Sequence, residues 1–161
     1  MSNDVVLRKA TTVDVPALLD LIHRIAEYER LSHEVEATEA LLRTHGFGPR
    51  PIFEAVLAER SGRAVGYALY FFSYSSFLAR PTLYIEDIFV LEARRRSGIG
   101  FALFRRCAEE AAKRECGRME WSVLTWNREA IDFYERLGAR RLDEWQTFRL
   151  DAKGISKVAK G

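Results

Sequence analysis

Arg94, Arg95, Arg96 and Ser97 stand directly before Gly98-Ile99-Gly100, and the apolar run Phe101 to Phe104 follows. Guanidinium groups attract phosphate, and the two glycines let a backbone approach a ligand where a Cβ would intrude. A helix opening at Gly98 adds unpaired N–H groups and the positive end of its dipole. Together these features can cradle a pyrophosphate. No Lys-Ser/Thr pair follows the glycines, so the segment is not a nucleotide P-loop, and the third glycine of a dinucleotide fingerprint is missing. Just upstream, Glu86 and Asp87 interrupt an apolar run. Strand alternation turns one of the two away from the apolar face, and Glu86 is taken as that residue.

Other chemistry is less well supported. His23, His33 and His45 lack the spacing of a zinc site, so no metal is expected. Cys107 and Cys116 fall in one expected helix, roughly 13 Å apart along its axis, too far for a disulfide. Cys107 lies on the apolar face of that helix and reads as core.

The elements that must position these residues follow from periodicity. Val5–Arg8 reads as a strand. Thr11 or Thr12 with Asp14 offers an N-cap, Pro16 sits in the first turn, and Val15, Leu18, Leu19, Ile22, Ile25 and Ala26 give helical spacing to about Arg30. A shorter helix covers Thr38–His45 and stops at Gly46. Phe53–Glu59 and Ala64–Tyr74 form an antiparallel hairpin around Ser61-Gly62-Arg63. Leu83–Val90 is the strand before the basic loop, and the Gly98 helix runs to about Glu115. Met119–Leu124 is a further strand, Arg128–Leu137 a helix ended by Gly138, and Arg141–Leu150 a last strand. The tail after Asp151 reads as frayed. The result is an α/β domain with a mixed, mainly antiparallel sheet flanked by helices. The crossover through the Gly98 helix makes Leu83–Val90 and Met119–Leu124 a parallel pair.

Composition bounds the function. At 161 residues with 48% hydrophobic and 30% charged residues, a single globular domain spanning 1–161 is expected. Formal charge is only +2, which argues against bulk nucleic-acid binding and leaves local anion binding. Neither an apolar run long enough to span a membrane nor a signal peptide is seen, so a cytoplasmic location is expected.

Arg95-Arg96-Ser97-Gly98-Ile99-Gly100 resembles the Arg/Gln-x-x-Gly-x-Gly/Ala signature of the GNAT acetyltransferases, which bind the pyrophosphate of acetyl-CoA there. Arg96 stands where that family usually has Gly. Ala26-Glu27-Tyr28-Glu29, Gly46-Phe47-Gly48, Tyr84 to Val90, Trp126-Asn127 and Phe133-Tyr134 resemble the spermidine/spermine N-acetyltransferase branch, which includes the thialysine enzymes. The resemblance implies that acetyl-CoA is the co-substrate and that a small-molecule amine accepts its acetyl group. It makes Tyr134 the proton donor to the departing thiolate and Glu86 the acidic residue that takes the amine's proton. It assigns the cofactor to Arg95, Arg96, Ser97, Gly98, Ile99 and Gly100, to Ile88, Phe89 and Val90 as a pseudo-strand partner, and to Asn127, Arg128, Glu129 and Ala130. Tyr28, Glu29, Glu120, Trp121, Ser122 and Glu144 align with substrate contacts. A homodimer is implied too.

Within that branch the polyamine enzymes carry an acidic residue after the equivalent of Phe72-Ser73-Tyr74, then a tryptophan two residues on. Here those positions are Ser75 and Phe77, and the thialysine type has Ser at the first. Each removed carboxylate removes attraction for an extended polycation. A lysine-like amino acid or a diamine is therefore the expected acceptor, with spermidine or spermine the alternative. A non-catalytic acetyl-CoA-binding sensor is the alternative of another class.

Overall fold

In the computed structural model, which describes residues 4–161, the chain divides into two compact units, residues up to Ser122 and Val123–Gly161. The first holds a five-stranded sheet in the order β1 (Val5–Lys9), β2 (Glu54–Arg60), β3 (Arg63–Ser75), β4 (Arg80–Val90) and β5 (Arg118–Trp121). β1 to β4 pair antiparallel and β5 joins β4 in parallel. The helix α1 (Val15–Tyr28) packs on one face and α3 (Ile99–Lys113) on the other, while α2 (Glu39–Phe47) follows α1. This is the mixed, mainly antiparallel α/β sheet with one parallel crossover that the periodicity predicts.

Alternation along the strands builds two cores. Val56 and Ala58 of β2, Ala68 and Tyr70 of β3, and Leu83 and Ile85 of β4 pack with Ile99, Leu103 and Cys107 of α3. The intervening Ala55, Leu57, Tyr67 and Leu69 pack with Leu18, Leu21 and Ile25 of α1. The β2–β3 connection is a two-residue turn in which Ser61 and Gly62 both take positive φ, the geometry that matches strand twist. β4 carries a bulge: Asp87 lies opposite Leu69 and Ile85 opposite Tyr70, so Glu86 is the extra residue.

An ion-pair network ties β1 to the start of α1. Both guanidinium nitrogens of Arg8 donate to Asp14 at 2.7 Å, and one also donates to Glu59 at 2.6 Å. Asp14 Oδ2 also accepts from the Thr11 N–H at 2.7 Å, which caps the turn leading into α1.

Three sequence expectations change. Arg141–Leu150 is not a strand: the sheet ends at β5, and no strand pairs with this segment among the described residues. A strand exists only as a member of a ladder, so the apolar residues Leu142, Trp145, Phe148 and Leu150 alone cannot make one. The tail is not frayed but forms α5 (Ala152–Ala159), whose first turn is capped by the Asp151 carboxylate accepting from the Gly154 N–H at 2.7 Å. β5 stops at Trp121 rather than Leu124. The second unit also contains α4 (Arg128–Arg136), as the spacing of Ile131 and Tyr134 predicts.

Asp14→Asn is expected to cost about 2 kcal/mol in chemical denaturation at pH 7, less than a fully buried pair because Arg8 is one-third exposed. The Arg8 hydrogen bonds hold the Asp14 carboxyl down from 3.8 to about 2. Its contribution is therefore complete above about pH 4 and is lost as pH falls toward 2, where mutant and wild type should converge.

Candidate active site

In the first unit, β4 changes partner half-way along. Its pairing with β5 runs from Thr82–Arg118 to Ile85–Trp121 and goes no further, while β3 stays paired to Val90. The segment Glu86–Val90 therefore keeps one edge without a strand neighbour among the described residues. The Leu91 N–H donates to the Val65 carbonyl, so Val90 and Gly66 form a non-hydrogen-bonded pair. Val90, and Ile88 two residues earlier, thus direct their N–H and C=O groups to the open edge. Phe89 directs its own toward β3, and its ring packs on the α1 side. Of the three residues expected to hold an extended ligand by backbone contacts, Ile88 and Val90 have the geometry and Phe89 supplies an apolar wall.

Beyond Val90 the chain makes a short turn, Glu92–Arg94, then runs through Arg95 to Ser97 into α3. Arg96 has φ 60° and Gly98 φ 81°. Gly98 is the N-cap of α3, and its left-handed backbone aims the first N–H groups of the helix outward. A Cβ on Gly100 would meet only Val90 Cγ2 at 3.9 Å, so the protein leaves room there. Ile99 is buried against the α3 core. Arg94, Arg96 and Ser97 are exposed, whereas Arg95 folds back: its Nε donates to the Val90 carbonyl at 3.1 Å and its guanidinium lies 4.2 Å from the centre of the Tyr28 ring. The positive charge left facing outward comes from Arg94, Arg96 and the helix N-terminus. Such a cradle suits an anionic group, and the Ile88 and Val90 edge suits an extended group that carries amides.

The acidic residues lie on the α1 side of the sheet. The bulge lets Glu86 and Asp87 project to the same side, where unbroken alternation would have separated them. Tyr67, fully buried in the α1 core, donates its hydroxyl to Asp87 Oδ2 at 2.9 Å. Burial pushes the Asp87 carboxyl up to about 6, the Tyr67 hydrogen bond opposes this, and the charges of Glu86 and Glu29 add to it. Burial also raises Glu29, which follows the last residue of α1. Tyr28 lies under Arg95 and is tilted against Phe89 at 6.3 Å. Tyr67 had no part in the sequence reading, and Asp87 entered it only as the residue passed over for Glu86: the bulge that pairs the two carboxylates leaves no trace in periodicity.

At the end of β5, Glu120 pairs with Arg118 at 2.9 Å, and the Ser122 hydroxyl lies 3.0 Å from that of Tyr84. Trp121 instead points into the other core, edge-on to Phe104 of α3. Ser75 is buried at the end of β3, where its hydroxyl accepts from the Leu78 N–H at 3.2 Å, and Phe77 is wholly exposed at the hairpin tip. Ser75 therefore serves the turn. Among the described residues there is no group of three or more His, Cys, Asp or Glu side chains placed to hold a metal.

In the second unit, the Asn127 side-chain carbonyl caps α4 by accepting from the Ala130 N–H at 3.2 Å. Arg128 reaches Asp132 at 3.4 Å along the exposed face, and Glu129 is exposed in the first turn. Tyr134 is half-buried on α4 with its ring 5.3 Å from that of Phe133. Glu144 is exposed beside Arg140, at 3.4 Å.

A parallel crossover thus leads from an open strand edge into a helix that starts at a left-handed glycine. The Acetyltransferase (GNAT) family model matches residues 15–139. The chain is 37% identical to a thialysine N-epsilon-acetyltransferase of Sus scrofa, over 96% of this chain and 97% of the relative. It is 34% identical to L-ornithine N5-acetyltransferase NATA1 of Arabidopsis thaliana, over 96% and 87%. Among solved structures, an integron cassette protein from the mobile metagenome of V. cholerae shares the fold with a TM-score of 0.82 at 23% identity, covering 98% of each chain. The chain belongs to the GNAT acetyltransferase family. It is an N-acetyltransferase, and acetyl-CoA is the acetyl donor of that family.

The backbone at Arg96 makes a test. Because φ is 60°, Arg96→Gly is expected to be more stable than Arg96→Ala by about 1 kcal/mol, the reverse of the usual order. Urea denaturation of the two variants checks this, and a more stable Ala variant would mean that the loop is not left-handed there.

Proposed function

We propose that the chain transfers the acetyl group of acetyl-CoA directly to a primary amine of a small molecule, a lysine-like amino acid of the thialysine type or a diamine. The observation that carries this reading is the placement of Glu86 and Asp87 on one side of the β4 bulge, with Glu29 close enough to act on both Asp87 and Tyr67. Several carboxylates on one side favour a small cationic acceptor. The names of the relatives, which act on thialysine and ornithine, support the same class.

In this reading Arg94, Arg96 and the Gly98 helix start hold the pyrophosphate and the Ile88–Val90 edge holds the pantetheine arm; the resemblance alone adds Asn127, Arg128, Glu129 and Ala130 to the cofactor-binding residues. An amine of pKa about 10.4 arrives protonated. Glu86 takes or relays its proton, through water, and the neutral nitrogen attacks the thioester carbonyl. The new C–N bond forms as the C–S bond breaks, the electron pair leaves on sulfur, and the nitrogen sheds its surplus proton to water to become the amide. Tyr134 donates its phenol proton to that thiolate. Tyr28, Glu29, Glu120 and Ser122 contact the rest of the amine, and Glu144 belongs to the same set by its alignment.

Spermidine is taken as the poorer acceptor from the resemblance alone, in which polyamine enzymes carry a carboxylate at the position of Ser75; in this fold that serine serves the hairpin turn. Single-domain organisation, a homodimer and a cytoplasmic location complete the proposal. The free cysteines fit a reducing compartment, and no helix among the described residues is long and apolar enough to cross a membrane.

Acetyl-CoA-dependent thiol release with thialysine, lysine, ornithine, putrescine, spermidine and a basic peptide tests the reading. Lysine-like amines should be turned over best, and Tyr134→Phe should lower kcat by about 100-fold or more. Preferred spermidine would discard the acceptor, and cofactor binding without release would favour the sensor.

A further inference from the structure

Tyr67 is fully buried on β3, yet its hydroxyl is aimed at a carboxylate on the same side of the sheet as the α1 end. A buried tyrosine that served packing alone would be as well replaced by phenylalanine. The Asp87 it holds is partly buried and adjoins Glu86 at the one place where β4 departs from regular pairing with β3. Placing two carboxylates on one side is costly unless a cation joins them or one is neutralised.

Resting on the proposed function, we propose that Tyr67 is a positioning residue for the acceptor amine: its hydroxyl fixes the Asp87 carboxylate beside Glu86 at the β4 bulge, so that two carboxylates rather than one receive the ammonium. Without a donor, a carboxylate in this setting would turn away from its neighbour or take up a proton. Tyr67 prevents both, because it can donate a hydrogen bond but carries no charge of its own. Burial, then the nearby Asp87, lifts the Tyr67 phenol well above its ordinary range, so it stays an O–H donor throughout the working pH range.

The groups around Asp87 set the direction of its pH response. Glu86 on β4 and Glu29 at the end of α1 repel its charge, and Tyr67 on β3 supports it. Tyr28 of α1 and Arg95 of the cofactor loop engage each other alongside Phe89. With Asp87 near 6, binding of the cationic amine should weaken as pH falls through that value. An ammonium that binds only the ionised form does so less well once the carboxyl is protonated.

The test compares wild type, Tyr67→Phe and Asp87→Asn, both close to isosteric, after circular dichroism shows each to be folded. Acetyl-CoA-dependent kcat/KM for the preferred amine is measured from pH 5 to 8, and the Asp87 carboxyl carbon is titrated by NMR in the free protein. Wild type should show an acid limb and an NMR midpoint near 6. Tyr67→Phe should move both upward by about one unit, since a lost hydrogen bond to the charged form raises its pKa. Asp87→Asn should lose that limb and raise KM for the amine by about tenfold, with a smaller change in kcat. Unmoved limb and midpoint in Tyr67→Phe, in an enzyme that acetylates these amines, would overturn the positioning role alone. A wild-type chain that acetylates none of the amines would overturn the functional reading, and this inference with it.

Discussion

The fold turns on where β4 loses its second neighbour. From Thr82 to Ile85 the strand has a strand neighbour on both sides, and from Glu86 to Val90 its only strand partner among the described residues is β3. An unsatisfied strand edge in a protein interior is costly, so such an edge calls for a ligand or solvent to complete it. The bulge falls at the same point. One extra residue shifts the side-chain phase, so Ile85 faces α3 while Asp87 and Phe89 both face α1. The parting of the strands and the clustering of carboxylates are thus two consequences of one change in β4.

The charges flanking this strand are divided by sign. Beyond its end, exposed arginines and the start of α3 offer a positive surface suited to phosphate. On its α1 side, Glu29, Glu86 and Asp87 offer a negative one suited to an amine. Arg95 stands between the two, bonded to the Val90 carbonyl and stacked on Tyr28. Its charge is thereby taken from the cradle and used to join the cofactor loop to the end of α1. A cation over an aromatic face contributes on the order of 1 kcal/mol when partly desolvated.

Much of the fold was legible because periodicity and punctuation agree. The α1 spacing with Pro16, the Ser61-Gly62 turn, and the passage from the β4 run through glycines into α3 each carry a local physical signal. The acidic pair at Glu86-Asp87 was legible as a feature, and alternation alone divided it wrongly between two faces. Arg141–Leu150 failed for another reason: its apolar residues do not alternate regularly, and pairing is a property of two segments. The residues after Asp151 looked frayed because a short helix gains stability from its cap and surroundings more than from its own propensity.

The sequence by itself determined the family and the glycine-opened basic loop before α3, because types and spacings survive without coordinates. Gly98 is legible there, since its left-handed backbone is a local demand. Tertiary structure alone decided that Tyr67 meets Asp87 across twenty positions of chain, that Arg95 turns from the cradle onto Tyr28, and that Ser75 serves a turn. Those outcomes depend on strand register and on which face each residue takes. A single bulge resets both without changing any local pattern that a sequence can display.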